Sequence, residues 1–349
     1  MISSVSIAGR EIGPRHPPYM IAEMSANHLG ELDRALAIMT AAKEAGADAI
    51  KLQTYTADTI TIDHDGPEFR IKGGLWDGRT LYDLYREAHT PWDWHPRLFQ
   101  HARALGITVF SSPFDSTAID LLEGLGAPAY KIASFEIVDI PLIRYAASKG
   151  KPLVISTGMA SVEEIEDAVE AARGAGDGGI VLLHAVSGYP TPPEDSNLLR
   201  LHALTERFDV MVGLSDHTMG TACAVAAVAL GAVAVEKHLT LQRADGGPDG
   251  AFSLEPGEFR QLVDESRATF SALGTGRDER APSEAGNARF RRSLYVVRDI
   301  AAGEVFTAEN LRSIRPGLGL PPKHLPDLLG RRAQGAIRRG TPMSWDLVN

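Results

Sequence analysis

Cysteine is almost absent: Cys223 is the only one in 349 residues, which excludes an internal disulfide and any cysteine metal cluster. No apolar run has the length and freedom from turn residues that a membrane span needs. The opening ISSVSIAG is short and strand-like and lacks a signal peptide's apolar core, so a cytoplasmic protein is the expectation. Positive charge is scarce too: 35 Lys/Arg stand against 45 Asp/Glu, a net charge of −10. That balance argues against nonspecific nucleic-acid binding. A P-loop is missing, and the first predicted strand runs into MSANHLGE where a dinucleotide-binding fold would place G-x-G-x-x-G.

What is present is alternation. YMIAEMS, DAIKLQT, ITVFSSPF, AYKIAS, PLVISTG, GIVLLHA, VMVGLSD and AVAVEKH read as strands, and helical segments such as ELDRALAIMTAAKEAGA and VEEIEDAVEAARGAG separate most of them. Eight strands in this rhythm predict an α/β fold, a (β/α)8 TIM barrel over residues 1–273. A long insertion, residues 55–94, follows the second strand; on a barrel such a loop forms part of the active rim or a lid. Residues 274–289 are polar and carry Gly and Pro, which predicts a linker, and residues 290–349 read as short strands and turns of a small β-rich domain. That tail holds ten Lys/Arg against five Asp/Glu, whereas residues 1–289 hold 25 against 40, so the two parts attract, within one chain or between two.

In a barrel the carboxyl ends of the strands carry the chemistry. Here they are polar: Glu23, Ser25, Asn27 and His28 after the first strand, Lys51 and Gln53 at the second, Ser111 and Ser112 at the third. Lys131, Ser134 and Glu136 surround the fourth end, Ser156 and Thr157 the fifth, His184 and Ser187 the sixth. Ser215, Asp216 and His217 close the seventh, and Glu236, Lys237 and His238 the eighth. Lysines and hydroxyls on one rim suit a phosphate or carboxylate. His217 and His238, on neighbouring strands, are either metal ligands or hydrogen-bonded structural residues; the pattern leaves both open.

IAEMSANHLG, KLQTYT, FSSPFD, YKIASFE, ISTGM, GLSDHT and EKHLT, in this order, resemble the sialic acid synthase family, and the tail with SIRPGLG is similar to its antifreeze-like SAF domain. Family members condense phosphoenolpyruvate with an open-chain amino sugar to make nonulosonic acids. SANH, LWDGRTLYDLYREAHTPW and RADGGPDGAFSLEP are most like the pseudaminic acid branch, whose sugar is a diacetamido-trideoxy hexose of altro configuration. SANHLG stands where sialic acid synthases proper tend to read GINHEG, which counts against N-acetylmannosamine.

The resemblance implies a role for each residue. His217 and His238 would hold a divalent metal, most commonly Mn2+, with Mg2+ or Co2+ as alternatives. Glu23 would be the acid/base. Lys51, Ser112, Lys131, Ser134, Ser156, Ser187 and Ser215 would hold phosphoenolpyruvate, Ser187 standing where sialic acid synthases carry an asparagine. Tyr189 and Asp249 would line the sugar pocket, joined by Arg315 from the SAF domain of the partner in a domain-swapped homodimer. Neither nucleic acid nor membrane is an expected partner. Competing readings are a Schiff-base aldolase using Lys131 or Lys51, a non-catalytic carbohydrate- or ice-binding protein, and the same chemistry on N-acetylmannosamine or the legionaminic acid precursor.

Overall fold

The computed structural model describes residues 4–349, so the start of the predicted opening strand lies outside the described residues. Two compact units result, one ending at Gly274 and the other beginning at Thr275. The first opens with an antiparallel hairpin of β1 (Val5–Ile7) and β2 (Arg10–Ile12). Eight parallel strands follow: β3 (Tyr19–Glu23), β4 (Ala49–Thr54), β5 (Thr108–Pro113), β6 (Tyr130–Ile132), β7 (Leu153–Ser156), β8 (Ile180–Ala185), β9 (Met211–Asp216) and β10 (Ala234–His238). They close into a barrel, β10 pairing with β3 in the register His238 to Glu23. All eight coincide with the predicted strands, and the (β/α)8 expectation holds.

The helices form for local reasons. Helix Leu32–Glu44 buries Ala35, Ile38, Met39 and Ala42, a stripe at the 3.6-residue period. Helix Val162–Ala175 starts at a capping box, in which Ser161 accepts from the Glu164 amide and the Glu164 carboxylate accepts from the Ser161 amide. Between barrel and helices lies the larger apolar core, with Ile50, Leu52, Ile132, Ile155, Leu182 and Val212 turned outward. A second core fills the barrel: Tyr19, Ile21, Phe110, Val154, Val181 and Leu183 pack with Val5, Ile7 and Ile12 of the hairpin. The hairpin therefore stoppers the amino end of the barrel.

In the second unit β11 (Ser293–Val296) pairs antiparallel with β12 (Leu311–Ile314) around a core of Leu294, Val296, Phe306, Leu311, Leu328 and Met343. The stretch expected as a plain linker is partly ordered: Pro282–Phe290 forms tight helical turns, with Pro282 in the opening position where its fixed φ and missing N–H cost nothing.

Candidate active site

Strand alternation decides which side chains face the barrel axis. Tyr19 and Ile21 belong to the interior core, so Glu23 also points inward; Ala49 leads by the same step to Lys51 and Gln53, and Phe110 to Ser112. Ala129 leads to Lys131, Val154 to Ser156, Met211 to Ser215 and His217, and Ala234 to Glu236 and His238. The rim therefore continues the interior core as a polar layer at the carboxyl end.

Four charges are buried at its centre. Lys51 Nζ lies 2.9 Å from Glu23 Oε2 and 3.2 Å from Glu236 Oε1, and Lys131 Nζ lies 3.2 Å from the same Glu236 oxygen. Ser215 donates to that oxygen at 3.1 Å, and Lys51 reaches Ser112 Oγ at 3.4 Å. Gln53 donates to Glu23 Oε1 at 3.0 Å. Burial penalises all four charges, and proximity then sorts them. Glu236, between two ammonium groups, is held down to about 2 despite its burial. Burial pushes Glu23 up against the opposing pull of Lys51, whose charge is shared with Glu236. Lys131 is drawn down to about 8 by burial, with Lys51 adding to the effect and Glu236 resisting it. For Lys51 the two carboxylates outweigh burial and hold it above the usual range. Two lysines thus converge on one oxygen, an arrangement that an anionic ligand can share.

Hydroxyls extend the cluster across β6 to β8. The Gly158 amide donates to Ser134 Oγ at 3.1 Å, and a Cβ at Gly158 would collide with the hydroxyls of both Ser134 and Ser187. Glycine is needed there to keep that corner open. Ser156 Oγ and Ser187 Oγ are buried without a hydrogen-bond partner. Buried hydroxyls normally find one, so these two are suited to bind an anion's oxygens.

The rings of His217 and His238 stand edge to face, 5.6 Å between centroids. His217 Nδ1 faces the Val186 carbonyl at 2.8 Å and must donate to it, which leaves the Nε2 lone pair free. Burial lowers both imidazole pKa values, favouring the neutral ligand form. His238 Nδ1 has no hydrogen-bond partner. Two neutral imidazoles with lone pairs to offer fit a borderline divalent cation. Among the described residues no group of three or more His, Cys, Asp or Glu side chains gathers as a metal cage.

Above this floor opens a cavity of about 490 Å³. Ser25, Gln53, Ser134, Glu136, Tyr189, His238 and Asp249 border it from below and beside, and side chains of the 55–94 insertion wall the rest. Asp249 accepts from Ser25 Oγ at 2.5 Å and from the Ala26 amide at 3.3 Å. The Tyr189 ring lies tilted against the His217 ring, 4.5 Å between centroids. Arg315 lies in the second unit, exposed. Other rim residues turn out to be supports. His28 packs edge-on to Trp94, His184 bonds the Ser196 carbonyl, and Asn27 bonds Leu239 O and Ser253 Oγ. Asp216 and Lys237 face outward and pair with each other at 2.5 Å. Three residues gain importance that strand-end position alone does not give them. Glu236 joins the lysines, Gln53 holds Glu23, and Glu136 lines the cavity with its carboxyl pushed up to about 7 by burial.

Fold and site together define a (β/α)8-barrel enzyme whose floor is lined by lysines, carboxylates and hydroxyls. Residues 38–278 match the NeuB family and residues 291–349 the SAF domain. The chain is 44% identical to the pseudaminic acid synthase of Helicobacter pylori, covering 95% of this chain and 97% of that one. It is 35% identical to the N,N'-diacetyllegionaminic acid synthase of Legionella pneumophila, over 95% and 94%. The crystal structure of N-acetylneuraminic acid synthetase from Leptospira borgpetersenii in complex with citrate superposes with a TM-score of 0.73 at 32% identity, covering 82% of this chain and 95% of that one. This chain belongs to the NeuB family.

Proposed function

We propose that the protein is a pseudaminic acid synthase. It condenses phosphoenolpyruvate with 2,4-diacetamido-2,4,6-trideoxy-altrose and water to give pseudaminic acid and phosphate. The observation that carries this reading is the convergence of Lys51 and Lys131 on one buried oxygen, ringed by partnerless serine hydroxyls and flanked by two neutral imidazoles. The higher identity to a pseudaminic than to a legionaminic acid synthase supports the choice of sugar.

Phosphoenolpyruvate competes with Glu236 for both ammonium groups and gains Ser112, Ser134, Ser156, Ser187 and Ser215. Holding its methylene carbon against the sugar aldehyde turns a bimolecular step into a near-intramolecular one. His217 and His238 would hold a divalent metal, Mn2+ by the family resemblance, and it would supply Lewis-acid polarisation of the aldehyde oxygen. Carbon–carbon bond formation leaves positive charge at the enol-ether carbon. Glu23, fixed by Gln53 and Lys51, stabilises that charge and takes the proton of the water that adds there. The resulting tetrahedral phosphate ester loses phosphate by C–O cleavage, leaving the keto acid. Tyr189 and Asp249 border the sugar. By the family resemblance the chain works as a cytoplasmic, domain-swapped dimer in which Arg315 serves the other chain's site; the attraction between basic tail and acidic main part is compatible with that docking.

Phosphate release assayed with the diacetamido altrose, the legionaminic acid precursor and N-acetylmannosamine tests the reading. The first sugar should have the highest kcat/KM by at least tenfold; preference for either other sugar refutes the assignment. In the same assay, a mixture of inactive Glu23→Ala and Arg315→Ala chains should regain activity. Demonstrated mixed dimers that stay inactive exclude the shared site.

A further inference from the structure

The cavity has two unlike halves. Its floor is polar, but its roof is mainly aliphatic and aromatic: Ile71, Trp76, Leu81, Leu84 and Tyr85 from the insertion face it, with Phe114 of the barrel beside them. This roof is anchored at both ends. Trp76 Nε1 donates to Pro248 O at 3.0 Å, tying the insertion to the loop that carries Asp249, and the Trp76 ring meets Tyr189 at a tilt, 5.8 Å between centroids. On the other side Trp92 Nε1 donates to Tyr55 O at 3.1 Å, and the Tyr55 ring meets Tyr85 and Phe114 edge-on. The insertion is therefore a fixed wall across the mouth.

We propose that this wall is the specificity subsite of the enzyme, receiving the apolar far end of the sugar: the methyl at C6 and the acetamido methyl at C4. The inference rests on the proposed reaction. That reaction holds the aldehyde carbon at the floor beside His238, which points the far carbons toward the insertion. A hydroxyl at either position would lose water and find only aliphatic carbon on Ile71, Leu81 and Leu84. An apolar pocket rejects an added hydroxyl by about a hundredfold at most, so the discrimination expected from the wall is roughly ten- to hundredfold.

The test is kcat/KM for the diacetamido-trideoxy altrose and for N-acetylmannosamine, at saturating phosphoenolpyruvate, in the full chain and in Leu81→Gln. Leu81 is only half-buried, and glutamine keeps its length. The variant should lose about tenfold on the deoxygenated sugar, little on N-acetylmannosamine, and keep the wild-type KM for phosphoenolpyruvate. Ile71→Thr, also half-buried, is read instead if Leu81→Gln loses phosphoenolpyruvate binding. A wild type that prefers the deoxygenated sugar and variants that keep the full preference overturn the wall alone. A wild type that prefers N-acetylmannosamine overturns the reaction assignment and the wall with it.

Discussion

Glu136 and Glu236 show how far two carboxylates can diverge within one site. Glu236 lies between two lysines and stays ionised; Glu136 borders the cavity with Oε2 buried and unpartnered, and is pushed up to about 7. A carboxyl whose pKa rises on folding takes up a proton as the chain folds. Its contribution to stability is thus full at low pH and is lost as pH rises from the ordinary carboxylate value through about 7. Glu136→Gln removes that loss: thermal melts should show the variant more stable than wild type at pH 8 and equal to it at pH 4. Equal melting at both values would mean the carboxylate is compensated. Glu136 stands in the YKIASFE motif, yet its environment was not legible there, because the insertion that lines the same cavity is far away in sequence.

Strands carry most of what the sequence discloses. Their period of two makes Glu23, Lys51, Lys131, Ser215 and Glu236 one inward layer once Tyr19, Ala49, Ala129, Met211 and Ala234 are recognised as interior. The same period separates His184 from the site and turns Asp216 and Lys237 toward the helices, a distinction that strand-end position alone does not make. Lys237 Nζ bridges Asp216 Oδ2 at 2.5 Å and the Thr218 carbonyl at 2.6 Å, joining β9 to β10 directly beside His217 and His238. Removing one member of so buried a pair leaves the other uncompensated, at a cost of about 3–5 kcal/mol. Lys237→Met should therefore lower the urea midpoint sharply, and Asp216→Leu added to it should restore much of the loss. A single variant as stable as wild type would show the pair to be dispensable. Distances across the barrel were not legible: that Lys51 and Lys131 meet on Glu236 depends on closure of the sheet, not on any one strand.

For the molecule as a whole, barrel, insertion and tail were legible as blocks of composition, and the alternation of strand and helix was enough to specify closure. The insertion's role was less so, because Trp76 finds Pro248 only once the barrel has brought their loops together. No helix among the described residues is long and apolar enough to cross a membrane. The β1–β2 hairpin has a kinetic consequence. With the amino end stoppered by Val5, Ile7 and Ile12, traffic shares one door, and the lysines lie deeper than the cavity above them: Lys51 is 4% and Lys131 2% exposed. A sugar seated first would stand in the corridor, so phosphoenolpyruvate should enter first. Product inhibition should follow that sequence, with the last product to leave competing against phosphoenolpyruvate and not against the sugar; the reverse pattern would reveal a second entrance. The stopper, far from any reacting atom, thereby writes the order of the queue.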